Sequence, residues 1–149
     1  LTDPKYIDKL VQFHRYGKYD YSEIKGLPHG AHSYAFSRAA AERAIEIKAK
    51  RDTEVWGGYF TETGVFKTGQ LDVENKVLRW PELRLTVDTP EDFELVKKIF
   101  ENLYEEKRIF SLNEVIQLLN QKSYLTSINE KITQKEEKLF LFFFCKTSN

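Results

Sequence analysis

An aspartate, Asp88, closes the run RLTVD at residues 84–88, and TPED continues the chain as residues 89–92. A carboxylate at the carboxyl end of a strand stands where open α/β sheets gather their ligands. It is a hard oxygen donor, suited to magnesium holding a polyphosphate. The competing reading is that Asp88 only bonds the backbone of the turn. The two acids beyond it need no chemistry. Thr89 is a good N-cap, Pro90 suits the first helical position, and Asp92 stands three residues after Thr89 as a capping-box partner. Glu91 and Asp92 also complement the dipole of a first helical turn. Alternation along the run places Arg84 and Thr86 on the same side as Asp88.

Other reactive side chains are sparse. His14, His29 and His32 are the three imidazoles, and the last two flank Gly30. No cysteine or well-spaced acid completes a tetrahedral set around them, and His14 falls on a helix face. Ser22, Ser33 and Ser37 lack a His–Asp constellation for nucleophilic catalysis. The single cysteine, Cys145, rules out an internal disulfide and suits a reducing, cytoplasmic setting. The 23 basic and 23 acidic residues balance, so the overall field favours neither nucleic acid nor an anionic membrane. The first residues, LTDPKYIDKL, carry neither the basic start nor the apolar run of a signal peptide. LFLFFFC, residues 139–145, is too short to span a bilayer. It reads as a buried strand, a segment covered by a partner, or the product of an altered reading frame; exposed, it would aggregate.

The elements that must position these groups fit one α/β domain. Residues 2–16 read as a helix capped by Thr2 or Asp3, with Pro4 in the first turn. Residues 18–24 alternate as a strand, 26–32 form a loop, 33–36 a short strand, and Ser37 caps a helix from Arg38 to about Lys50. Residues 53–66 suggest a turn feeding irregular or extended structure, and 64–73 a strand or hairpin. RLTVD is the clearest strand. The helix from 90 to about 106 should bury Phe93, Val96, Ile99, Phe100 and Leu103. SLNE, residues 111–114, is a capping box opening a helix to about Gln121.

RLTVDTPEDFELVKKIFENLY resembles the C-terminal signature of cytidylyltransferases of the spore-coat polysaccharide and acylneuraminate (CMP-sugar synthetase) group. The synthetases that activate 3-deoxy-manno-octulosonate carry a similar VDTPEDL motif. LTDPKYID resembles the stretch just downstream of that group's central Asp-X-Pro motif, and GLPHGAHSYAFSRAAAERA its sugar-side loop, strand and helix. TEVWGGYFTETGVF and FSLNEVIQLL also have counterparts, so the likeness runs to about Gln134, with VDTPED its specific element.

The resemblance implies a Rossmann-like, three-layer α/β/α fold of the nucleotide-diphospho-sugar transferase type. It implies attack of a sugar hydroxyl on the α-phosphate of CTP, giving a CMP-sugar and pyrophosphate, with Mg2+ bound by Asp88. Gly30, His32 and Tyr34 would line the sugar pocket, or form an ordinary surface loop. Glu54 and Trp56 offer a polar handle and a stacking face, or a packed aromatic turn. Arg84 would hold an acidic sugar or a phosphate, or pair with a neighbouring acid. The group's glycine-rich nucleotide loop and second metal-binding aspartate have no match here. Residues 1–122 are therefore expected to be the C-terminal, sugar and metal side of such a domain, incomplete and inactive by itself. Residues 123–149 would form a tail, and a homodimer is plausible by the same resemblance. Two rival readings stay open: a noncatalytic interaction or regulatory remnant of the scaffold, and a glycosyltransferase of similar layout.

Overall fold

A computed structural model describes residues 1–48 and 56–132. The chain opens on α1 (Pro4–Gly17), where the Asp3 carboxylate accepts from the Lys5 amide at 3.0 Å and Pro4 sits at the first position. The other Asp3 oxygen accepts from the Leu112 amide at 3.1 Å, which ties the start of α1 to a helix far along the chain. Tyr6 and Leu10 are the buried residues of α1, which packs on a three-stranded sheet.

That sheet has the order β2-β1-β3, from β1 (Tyr21–Lys25), β2 (Tyr34–Phe36) and β3 (Thr68–Asp72). β1 and β2 are antiparallel, whereas β3 runs parallel to β1 with Tyr21 opposite Thr68. The 64–73 region therefore contributes one parallel strand and no hairpin, because a parallel neighbour requires a long crossover. The crossover includes α2 (Arg38–Ile47), capped by Ser37 Oγ accepting from the Ala40 amide, and α3 (Gly58–Thr61). α3 is a short helix where irregular or extended structure was expected, and it buries Tyr59 and Phe60.

Two capping boxes start the last helices, α4 (Pro90–Leu103) and α5 (Leu112–Gln121). Of the face of α4 expected to be buried, Ile99 is in the core and Val96 and Leu103 are half-buried, but Phe93 and Phe100 are not. Asp92, Leu95 and Ile99 are fully buried, while Phe93 is 59 % exposed and Phe100 is also exposed. The capping box turns Asp92 inward, and Leu95 and Ile99 follow it at helical spacing. A 3-10 turn at Ser123–Ile128 packs on α4 and α5 and places Leu125 in the core.

RLTVD does not form a strand of the sheet. It makes one isolated parallel bridge, Arg84 with His29, through a His29 amide bond to Leu83 O at 2.9 Å and a Leu85 amide bond to His29 O at 2.8 Å. Among the described residues its one ladder neighbour is the 26–32 loop, which turns at Gly30. Leu83 and Leu85 are buried, but Val87 is 56 % exposed. The main core joins Leu10, Ile24, Leu85, Leu95, Ile99 and Leu119, and a smaller cluster gathers Tyr21, Ala40, Ala44 and Phe60. The architecture is thus mixed α/β. Among the described residues, no helix is long and apolar enough to cross a membrane.

Candidate functional site

The site is built where the 26–32 loop meets the segment before α4. Gly30 has φ +87°, and a Cβ there would lie 2.7 Å from the Thr86 amide nitrogen and 2.8 Å from the Leu85 carbonyl carbon. Only glycine allows both that backbone conformation and that approach. The contact explains Gly30 by packing, and it holds His29 beside Arg84.

Arg84 is the hub. Its Nε donates to both Asp92 oxygens, at 2.9 and 3.1 Å, and its Nη2 donates to Asp92 Oδ2 at 2.9 Å. The same Nη2 donates to Asp88 Oδ2 at 2.6 Å. Asp92 is completely buried, and it also accepts from Asn129 Nδ2 at 2.8 Å and from the amides of Asp88 and Thr89 at 3.1 and 3.2 Å. Asn129 Nδ2 donates to the Arg84 carbonyl as well, at 3.1 Å, which closes the cluster.

The electrostatics are set by these contacts. Burial pushes the Asp92 carboxyl up. Hydrogen bonds from Arg84, Asn129 and the Asp88 amide, with the Arg84 charge, outweigh burial and hold it well below the usual carboxylate range. The bond to Asp92 in turn raises Arg84 above its ordinary value. His29 is lowered, first by burial and then by His32 and Arg84, against the opposing pull of Asp88 and Asp92. This setting favours the neutral imidazole.

The two aspartates are not equivalent. The Arg84 side chain is 12 % exposed and that of Asp88 is 65 % exposed. Breaking a buried, hydrogen-bonded pair by removing one partner costs about 3–5 kcal/mol. An ion pair whose acid stands mostly in water is worth about 0–1 kcal/mol. Asp92 is thus the structural anchor and Asp88 the displaceable partner. The bonds to the turn backbone come from Asp92, not Asp88.

From Arg84 a band of rings runs outward. The His29 and His32 rings lie 5.4 Å apart, His32 Nε2 is 2.8 Å from Tyr34 Oη, and Tyr34 meets Trp56 edge-on at 5.4 Å. Tyr21 stacks on Tyr34 at 5.9 Å and Phe36 borders Trp56 at 5.6 Å. The structure thus pairs Asp88 with Arg84, joins Arg84 to His29 by a backbone bridge, and runs ring to ring from His29 through His32 and Tyr34 to Trp56, with Gly30 packed on the 85–86 backbone. Glu54 lies outside the described residues. Sequence reasoning missed Asn129, and it missed His29 as the link between Arg84 and His32. It weighed His29 only as a metal ligand. It also read Asp92 as a cap alone, since nothing in a capping box signals burial.

Among the described residues, no group of three or more His, Cys, Asp or Glu side chains could hold a metal ion. A single exposed carboxylate still fits magnesium, which keeps several waters and is often held by one or two carboxylates plus substrate phosphates. His14 Nδ1 lies 2.9 Å from Ser22 Oγ, but Ser22 is fully buried, so the contact satisfies a core hydroxyl instead of arming a nucleophile. A separate groove, mostly apolar, is lined by Leu1, Val87, Val96, Phe100 and Ile109 together with Tyr104 and Arg108.

No protein-family model and no curated protein matches the chain. A solved structure does: a cytidylyltransferase from Leptospira borgpetersenii serovar Hardjo-bovis (strain JB197), with a TM-score of 0.70 and 22 % identity. The match covers 90 % of this chain and 56 % of that one. The chain has the α/β fold of the corresponding part of that protein, and it spans little more than half of its length.

Proposed function

We propose that the chain forms the sugar and metal side of a cytidylyltransferase that joins CTP to an acidic sugar, giving a CMP-sugar and pyrophosphate for surface polysaccharides such as a spore coat. The observation that carries this reading is the Asp88 carboxylate, water-exposed at the entry to α4 beside an arginine locked from behind by buried Asp92. VDTPED and the shared fold support it.

In this reading Asp88 is one magnesium ligand, and the bound ion would neutralise the triphosphate and polarise the α-phosphate. His32 and Tyr34 hydrogen-bond sugar hydroxyls, Trp56 stacks on the ring, and Glu54 adds a polar handle. Arg84 takes a carboxylate or phosphate oxygen. The CTP base is read outside the described residues, the setting is cytoplasmic, and two copies pair. The test is pyrophosphate release from CTP and Mg2+ with a panel of acidic sugars, using the complete gene product that carries this chain. Asp88→Asn should lower the rate at least a hundredfold, roughly the scale of losing one positioned charge; an unchanged rate would remove Asp88 from the mechanism.

One observation favours a second reading. Arg84 is already paired with two acids, which suits a noncatalytic remnant that kept the scaffold. Binding of neither CTP nor any sugar by the complete product would favour that remnant. Turnover that consumes a nucleotide-sugar would instead favour a glycosyltransferase.

A further inference from the structure

We infer that Arg84 is the floor of an anion site that Asp88 fills as an internal stand-in. When Asp88 turns to a dication, or is removed, the guanidinium receives an external phosphate or carboxylate oxygen in its place. The inference rests on the proposed function for the class of its ligand.

Three features converge on it. Asp92 and Asn129 fix the guanidinium from the buried side, through Nε and Nη2 and through the Arg84 carbonyl, so its position does not depend on Asp88. Asp88 engages only Nη2, end-on at 2.6 Å, from a side chain standing mostly in water. Nη1 has no partner among the described residues, so two N–H donors remain beside the occupied one. A guanidinium with one oxygen seated on it and spare donors alongside matches the bidentate geometry by which arginine receives phosphate and carboxylate. On the segment between the two residues, Thr86 Oγ1 is buried and has no hydrogen-bond partner among the described residues. Asp88 therefore serves two exclusive partners, and a dication drawing it away would open the arginine to the anion the dication accompanies.

The test uses the full chain, metal-free in EDTA at low salt. Inorganic pyrophosphate and glucuronate are titrated separately by calorimetry into the wild type, Asp88→Ala and Asp88→Asn, with thermal melts confirming that each is folded. Removing the internal competitor should tighten anion binding by up to about fivefold in Asp88→Ala, the affinity equivalent of an exposed ion pair, and by less in Asp88→Asn. Tightening for pyrophosphate alone assigns the site to a phosphate, for glucuronate alone to a sugar acid, and for both to either oxygen donor. No tightening for either anion in the folded variants overturns the inference. A parallel Mg2+ titration without chelator separates this from the proposed function. If Asp88→Ala gains anion affinity while Mg2+ binds neither wild type nor variant, the metal role fails and the anion site stands.

Discussion

Asp88 and Asp92 both bond to Arg84, one just before the cap of α4 and one in its first turn, yet burial gives them opposite consequences. Asp92 is fully buried and accepts from five donors, so its loss leaves a mostly buried guanidinium without its anchor and two turn amides without their acceptor. Asp92→Ala should cost about 3–5 kcal/mol of unfolding free energy. Asp88→Ala should cost at most about 1 kcal/mol. Urea denaturation of the two variants side by side checks the contrast, and equal losses would refute the division into anchor and displaceable partner. Gly30 shows the same dependence on surroundings. With φ at +87° and the 85–86 backbone against its Cα, Gly30→Ala should destabilise by more than ~1 kcal/mol. Because that strain would push the loop off the 85–86 backbone, the His29 and His32 ring resonances should shift in the same variant.

α4 carries apolar residues on two faces, and only one is covered. Leu95 and Ile99 are sealed in the core, whereas Phe93 and Phe100 look outward, Phe100 against the ring of Phe110. Leu95→Ala should therefore cost about 2–5 kcal/mol, and Phe93→Gln should stay within about 0.5 kcal/mol of wild type. Chemical denaturation of both variants decides which face is core. This helix also shows how far the sequence was legible. Its start was readable to the residue, because Thr89, Pro90 and Asp92 act within one turn and need no neighbour. The caps of α2 and α5 were readable for the same reason, and that of α1 to one of two residues, Thr2 or Asp3, of which the structure uses Asp3. Its buried side was not, since two stripes of similar hydrophobicity are told apart only by what packs on them. RLTVD failed for a related cause: β-propensity describes a residue's fit to a sheet, and here the neighbouring backbone is a loop that bends away after one bridge. In the candidate site, Asp88 and Arg84 were visible as residue types. The contact between them is local, but the closure by Asn129, 45 positions from Arg84, is tertiary and left no trace in the sequence pattern.

For the molecule as a whole, balanced charge means that pH acts through particular groups, and these fall into two sets. His14 and His29 are both lowered, chiefly by burial, so the unfolded chain binds protons more readily than the folded one. Stability should fall as pH drops below the unfolded histidine value of about 6.5 and continue falling until the folded values are passed. Asp92 and Glu114 are depressed. Hydrogen bonds from the Ser111 backbone and from Arg108 hold Glu114 at about 2, and the Arg84 and Asn129 contacts act on Asp92 against its burial. Their contribution is complete above the unfolded carboxyl values of about 4 and is lost as pH falls toward the folded ones. Acid unfolding should thus come in a shallow stage below pH ~6.5 and a steeper one below ~4, both of the same sign. The steep stage belongs mainly to Asp92, because Glu114 is only half-buried and more screened by solvent than fully buried Asp92. Urea midpoints at pH 8, 5 and 3 measure this. His29→Asn should flatten the first interval, and Asp92→Asn, less stable throughout, should flatten the second. A wild-type midpoint that rises between pH 8 and 5 would mean that the imidazoles gain partners on protonation, and would contradict the desolvated setting that places His29 between Arg84 and His32.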